Sequence, residues 1–380
     1  MKKIAVVTGT RADYGIYYPV LKAIEEEITL DLHLLVTGMH LSPQFGNTVE
    51  LIRRDGFRIS AQVDCLLQGA SHGNMSRSIG LAILGMTQAL ESMKPDTIVV
   101  LGDRGEMLAA AVVGAHMNIP VVHLHGGEVT GTIDESVRHA ISKLSHIHMV
   151  ATVQSEERLL KLGEDPWRVH VVGAPRLETM MNTLLPDHKK TLEKYNIRLH
   201  SKGYILFAYH SVTTESVDLQ IFTNMLNVLV NSKLDIICIM PNSDAGSDAL
   251  LGMYNQFSNI DGIQLITNFE PLDYLVMLQN AEALVGNSSS GIIEAASFHV
   301  PVINIGTRQG RRERSSNVID IIESPTALKK ALEEATSPHF RQIVSSTQNV
   351  YAKDNTSHLI VDILKKIKNS DQLIQKTITY

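Results

Sequence analysis

Cysteine is almost absent from the chain: Cys65 and Cys238 are the only two in 380 residues. They stand far apart without metal-ligand spacing, so neither a disulfide framework nor a cysteine-held metal is expected, and a reducing, cytoplasmic setting is. Long apolar runs are missing as well. Lys2-Lys3 followed by Ile4-Ala-Val-Val imitates the start of a secretory leader, but the run breaks at Thr8-Gly9. Nothing approaches the ~20 apolar residues of a membrane span. No basic block occurs: 34 Lys and Arg against 40 Asp and Glu leave a formal charge of -6. The electrostatic footprint of a nucleic-acid or membrane-surface binder is therefore not seen. Low-complexity linkers and short-period repeats are absent too.

What is present is an ordinary globular content, 44% hydrophobic, in a chain longer than the roughly 250–300 residues at which one core stops growing. Two domains are expected. The first half repeats one grammar, a short Val/Ile/Leu run, a Gly or polar turn, then a helical pattern. It places strands at 4–8, 31–36, 97–101, 120–125, 146–151 and 168–172. The grammar restarts at Tyr204 and predicts six more strands, at 204–209, 235–240, 262–267, 282–286, 300–305 and 317–321. Continuous apolar strands between helices suit parallel sheets covered on both faces. The fold class read from this is α/β, two doubly wound Rossmann-like domains with a central cleft. The domains are expected at 1–180 and 181–357, with the helical segment at about 358–380 packing back on the first.

The polar residues cluster just after the strands, where such sheets hold ligands. Arg11, in Thr-Gly-Thr-Arg-Ala-Asp-Tyr-Gly, is an anion clamp or else the partner of Asp13; this turn has neither GxGxxG nor Walker A spacing. Asp103 and Arg104 follow the third predicted strand, Asp103 being either a general acid or base or the cap of the next helix. His123, His125, Gly126, Gly127 and Glu128 form the densest polar run. Alternation along a strand puts the two histidines on one face, and metal ranks below acid–base work because no further ligand cluster accompanies them. Asp134 and Arg138 stand four apart on one helix face, as a surface ion pair or with Asp134 as a second carboxylate opposite Asp103.

In the second half, His210 ends a strand, Asn242 sits in a Pro-Asn-Ser-Asp turn, and Gly286-Asn-Ser-Ser-Ser-Gly291 runs from strand into helix with Glu294 in its first turn. Ser288, Ser289 and Ser290 either cap that helix or receive phosphate on its N-terminus. Arg308 opens the one short basic cluster, Gly306 to Arg314.

Read together these motifs, with T-G-M-H-L-S around His40, L-G-D-R, H-G-G-E-V-T-G-T-I-D-E-S-V-R-H, H-S-V-T-T-E, P-N-S-D-A-G-S and G-T-R-Q-G-R, resemble the hydrolysing UDP-N-acetylglucosamine 2-epimerases of sialic-acid biosynthesis over nearly the whole chain. The resemblance implies a glycosyltransferase-B fold, a UDP-sugar substrate, no metal or other cofactor, and a homo-oligomer, dimer or tetramer. It implies conversion of UDP-N-acetylglucosamine and water to N-acetylmannosamine and UDP, by loss of the C2 proton, elimination of UDP through 2-acetamidoglucal, and hydration. By the same likeness Asp103, His125, Glu128, Asp134 and His210 are the catalytic candidates. Arg11, Arg104, Asn242, Ser288, Ser289, Ser290, Gly291, Glu294 and Arg308 are the UDP candidates, and His40 and Arg138 bind the sugar or support the site. His125 stands where many relatives carry Glu, which leaves the C2 base open among His125, Asp103 and Glu128. It also loosens the substrate, leaving UDP-N,N′-diacetylbacillosamine as an alternative. The shared UDP turn leaves a retaining UDP-sugar glycosyltransferase of the same fold as another.

Overall fold

The computed structural model of the protein describes residues 1–67, 71–129, 133–210, 218–240, 247–257 and 260–379. The described chain divides into two compact units, Met1–Thr179 with Tyr351–Tyr380, and Met180–Val350.

The first unit is a seven-stranded sheet of β1 (Lys2–Thr8), β2 (Leu30–Thr37), β3 (Ile59–Val63), β4 (Thr97–Leu101), β5 (Val121–Leu124), β6 (Ile147–Val150) and β7 (Val169–Val171), in the order β3-β2-β1-β4-β5-β6-β7. Every pairing is parallel, with Val6 opposite Leu34 on one side and Val99 on the other. Alternate residues of β1 serve separate cores. Ile4 and Val6 pack with Val99, Leu34 and the helix Arg11–Glu26, while Ala5 and Val7 pack with Leu35, Val100 and the helices His72–Met93 and Gly105–His116. This two-sided burial is why the strands read as unbroken apolar runs. Strand β3 is the exception and was not predicted. As the sheet's edge it alternates in Ile59-Ser-Ala-Gln-Val63, mostly half-buried, and its pairing with β2 slips in register at Leu34/Leu35.

Residues after Tyr351 belong to this unit. The helix Thr356–Lys366 inserts Ile360, Val361 and Leu364 beside Tyr17, Leu21 and Ile24. Lys2 donates to the Leu364 carbonyl at its end (2.6 Å).

The second unit has six parallel strands, β8 (Tyr204–Ala208), β9 (Asp235–Ile239), β10 (Ile263–Ile266), β11 (Ala283–Gly286), β12 (Val302–Ile305) and β13 (Val318–Ile321), ordered β10-β9-β8-β11-β12-β13. Strand order reverses between β1 and β4 in one sheet and between β8 and β11 in the other. At such switch points the connecting helices leave to opposite faces and open a crevice at the strands' carboxyl ends. The residues following β1, β4, β8 and β11 therefore border that crevice, with those following the adjacent β5 and β12 beside them. No helix among the described residues is long and apolar enough to cross a membrane.

Candidate active site

After β4 the chain reaches Gly102, Asp103 and Arg104, and the helix Gly105–His116 begins with Arg104 as its cap residue and no side-chain cap bond. Capping is therefore not the role of Asp103. Its carboxylate receives the guanidinium of Arg138, which comes from the helix Ile133–Leu144 and is 4% exposed. The other guanidinium arm donates to the main-chain carbonyl of His125 (2.8 Å) and lies 3.7 Å from the Glu128 carboxylate. Arg138 is thus not half of a surface pair; it is the buried centre of a cluster. Burial raises the Asp103 pKa, the Arg138 charge opposes that, and the carboxylates of Asp134 and Glu128 raise it further. Asp134 itself is exposed on the first turn of its helix, near enough for its charge to reach Asp103.

The two histidines after β5 part company. His123 is fully buried, its Nε2–H donating to the Gly102 carbonyl (2.7 Å) and its Nδ1 accepting from the Ser142 hydroxyl (3.0 Å). Burial lowers its pKa to about 3, so it is a neutral structural group that holds the turn leading to Asp103. The strand ends at Leu124 and His125 takes a left-handed φ of 59°. The expected shared face is lost at that residue. The His125 Nδ1 lies 2.6 Å from Glu128, and its Nε2 is buried without a hydrogen-bond partner among the described residues.

After β1, Asp13 forms a capping box with Thr10 and accepts from the amides of Gly9 (3.1 Å) and Thr10 (2.9 Å) and from the Thr8 hydroxyl. Burial pushes its pKa up to about 6. Asp13 is therefore committed to its own helix, and Arg11 projects exposed with no ion pair among the described residues. His40 is fully buried, with Nε2 at 3.0 Å from Thr8 and Nδ1 at 2.7 Å from Thr48, and burial lowers its pKa to about 4. Its position is that of a support under the β1 turn. Arg104 is 3.5 Å from Glu106.

In the second unit Gly286 closes β11 with φ 138°, and a Cβ there would lie 2.0 Å from the Ala208 carbonyl oxygen. Only glycine permits so close a backbone approach. Asn287 follows, 1% exposed, its side-chain amide accepting from the His210 N–H (2.7 Å) and donating to the His210 carbonyl (2.8 Å). Ser288 caps the short helix Ser289–Ile293 by accepting from Ser290 N–H (3.4 Å). Ser290 stands in a chain, receiving the Tyr274 hydroxyl (2.6 Å) and donating to Glu294 (2.6 Å). Gly291 is buried, and a Cβ on it would meet Val302 at 2.8 Å, so it seats the helix against β12. Arg308 (3.1 Å) and Gln309 (3.0 Å) both donate to the Asn287 carbonyl, tying the next strand's loop to this turn. Arg314 is spent on Asp320 (2.8 and 3.0 Å). Asn242 lies outside the described residues.

Each unit thus gathers its own group: Asp103, His125, Glu128, Asp134 and Arg138 in the first, and His210, Ser288, Ser289, Ser290, Glu294 and Arg308 in the second. Tyr274, Asn287 and Gln309 were not singled out from sequence. Asn287 had a signal, since an Asn directly after a buried strand and before three serines must bond something; Tyr274 and Gln309 had none.

Two parallel α/β units with polar clusters at the carboxyl ends of their strands place the chain in the doubly wound α/β class, whose ligands bind at that edge. The sequence profile of the UDP-N-acetylglucosamine 2-epimerase family matches residues 22–365. The chain is 41% identical to the UDP-N,N′-diacetylbacillosamine 2-epimerase (hydrolyzing) of Legionella pneumophila, covering 100% of both. It is 36% identical to the UDP-N-acetylglucosamine 2-epimerase of Neisseria meningitidis serogroup B, covering 89% of this chain and 88% of that one. The chain belongs to the UDP-N-acetylglucosamine 2-epimerase family. Among solved structures, the Neisseria meningitidis UDP-GlcNAc 2-epimerase bound to UDP-GlcNAc superposes with a TM-score of 0.75 at 19% identity, over 97% of this chain and 100% of that one. That likeness concerns the fold.

Proposed function

We propose that the protein is a hydrolysing UDP-sugar 2-epimerase that converts UDP-N-acetylglucosamine and water to N-acetylmannosamine and UDP. The observation that carries this is the cluster of Asp103, Glu128 and His125 around one buried guanidinium, Arg138, with Asp134 near enough for its charge to act on Asp103. Elimination and hydration need one group to take the C2 proton and another to return one, and neighbouring groups with different environments provide that division. In the first step the C2–H bond breaks, its electrons form the C1–C2 double bond, and the bond from C1 to the diphosphate oxygen breaks with its pair leaving on UDP. Water then adds across the double bond, hydroxyl to C1 and a proton to C2 on the opposite face. The second unit takes the leaving group: Ser288, Ser289 and Arg308 the diphosphate, Glu294 the ribose hydroxyls, with His210 beside them.

A second reading of the sugar has support of its own. The 41% likeness to the diacetylbacillosamine epimerase runs end to end, and the C2 and C1 chemistry is indifferent to substituents at C4 and C6. Incubation with each UDP-sugar in heavy water, followed by NMR, separates the readings. The expected result is UDP release with a C2-deuterated 2-epimer from one of them. Recovery of both nucleotide sugars intact and undeuterated overturns the proposal, and UDP release only with an added acceptor makes the protein a transferase.

A further inference from the structure

We infer that Glu128 is a positioning residue that fixes the tautomer of His125, making His125 Nε2 the atom that removes the C2 proton. The inference rests on the proposed elimination and assigns the base that the reaction needs.

Three features hold the pair. The His125 backbone is left-handed at φ 59°, a conformation that side chains other than glycine rarely adopt. It is fixed from both sides: the His125 N–H donates to the Met149 carbonyl (3.1 Å), and its carbonyl accepts from Arg138 (2.8 Å). Gly127, φ 73°, turns the chain where any Cβ would come within 2.3 Å of the Ser155 carbonyl, and so brings Glu128 back under His125. The result is the 2.6 Å contact between Glu128 Oε1 and His125 Nδ1, with both residues over nine-tenths buried.

The proton's location follows from charge. Arg138 at 3.7 Å favours the ionised Glu128, and a carboxylate only accepts, so the hydrogen of neutral His125 is on Nδ1. The lone pair is then on Nε2, the ring nitrogen that no described group occupies. Asp103, by contrast, already receives a guanidinium. When Nε2 takes the C2 proton, the electrons of that bond become the C1–C2 double bond and UDP leaves with the pair from C1. The imidazolium formed keeps its Nδ1–H on Glu128, whose charge then stabilises it.

The test has two arms. Long-range ¹H–¹⁵N spectra of histidine-labelled protein, with His125→Asn as the assignment control, report the tautomer without any substrate. An Nδ1–H tautomer that changes in Glu128→Leu supports the inference; an Nε2–H tautomer in the wild type overturns it. In turnover, Glu128→Gln keeps the hydrogen bond but removes the charge. The expected result is a kcat lower by roughly 10- to 100-fold with KM little changed, and an acid limb of kcat/KM moved to lower pH. His125→Ala is expected to lose at least ~100-fold and to be rescued by added imidazole but not by formate. A Glu128→Gln enzyme with the wild-type kcat and pH profile, or a His125→Ala enzyme with near-normal turnover, overturns the inference while leaving the reaction in place. A wild-type enzyme inert on both UDP-sugars removes the reaction and leaves the tautomer result standing.

Discussion

Arg138, four residues beyond Asp134 on the same helix, reaches the carboxylate of Asp103, 35 positions earlier in the chain, and with its other arm grips the carbonyl of His125 at 2.8 Å. One guanidinium therefore sets the position of two catalytic candidates. Arg138→Gln should leave the half-buried Asp103 beside Asp134 and Glu128 without its counter-charge. Breaking one side of a fully buried pair costs about 3–5 kcal/mol, and the partial exposure of Asp103 brings the cost below that. A lower denaturation midpoint together with turnover below a hundredth of wild type is expected, and a variant that keeps both would show that the cluster is not organised by this residue.

Asp103→Asn and Asp134→Asn keep size and lose the ionisable group. Each is expected to cut turnover by ~10²–10⁴-fold, the usual range for removing a proton-transfer group. UDP affinity, measured by calorimetry, should stay close to wild type because the residues proposed to hold the nucleotide belong to the other unit. Near-normal turnover in either variant takes that residue out of the mechanism.

Acid should weaken the first unit. His40, His146 and His148 are lowered to about 4 and His123 to about 3, each mainly by burial. A depressed folded pKa means stability that is present above the unfolded value of ~6.5 and lost as pH falls through 4 to 3. At pH 5 each histidine forfeits up to about 2 kcal/mol relative to neutrality. Asp13, raised to about 6, works the other way, its contribution being held at low pH and lost as pH rises through 6, and it offsets part of the loss. Urea midpoints at pH 5 should lie below those at pH 7.5, and His123→Asn should narrow the difference. Equal midpoints at the two values would contradict this.

Gly286→Ala tests the turn's backbone. Its methyl would overlap the Ala208 carbonyl, forcing β8 and β11 apart, and overpacking alone costs ~1–3 kcal/mol. Asn287, which holds His210, and the serines behind it should move together, so UDP binding should fall with stability. A variant of unchanged melting temperature and UDP affinity would rule out the tight approach.

Arg308→Met is the complementary probe, since the side chain is half-buried on a loop and donates to the Asn287 carbonyl. A charge-assisted hydrogen bond to phosphate is worth about 1.5–3 kcal/mol, so the Kd for UDP should rise ~10- to 150-fold with little change in melting temperature. An unaltered Kd would exclude Arg308 from the nucleotide site.

Hydrophobic patterning was enough to read the two parallel sheets from the chain, because strands buried on both faces must be apolar at every position. It failed at β3, where an edge strand needs only one apolar face and the five residues Ile59 to Val63 are too few to distinguish from loop. The strand ends could be named as the functional edge for the same topological reason. What each polar residue does there could not. Asp103 read equally well as a helix cap until Arg138 was found on it, and Ser288 turned out to be a cap even within a turn we assign to the nucleotide.

The pair of histidines shows the division most directly. Period-two alternation in Val-Val-His-Leu-His placed His123 and His125 on one face, and local sequence carries no mark of where a strand stops. In the folded chain the strand stops at Leu124: His123 is sealed between Gly102 and Ser142, while His125 turns left-handed onto Glu128. The sequence alone determined that this chain folds as two α/β sheets of the epimerase family and which residues stand at their carboxyl ends, since burial and spacing are local properties. Tertiary structure alone decided which of those residues hold the backbone and which are left for the proposed reaction, because that depends on Arg138, Ser142 and Met149, partners brought in from neighbouring elements.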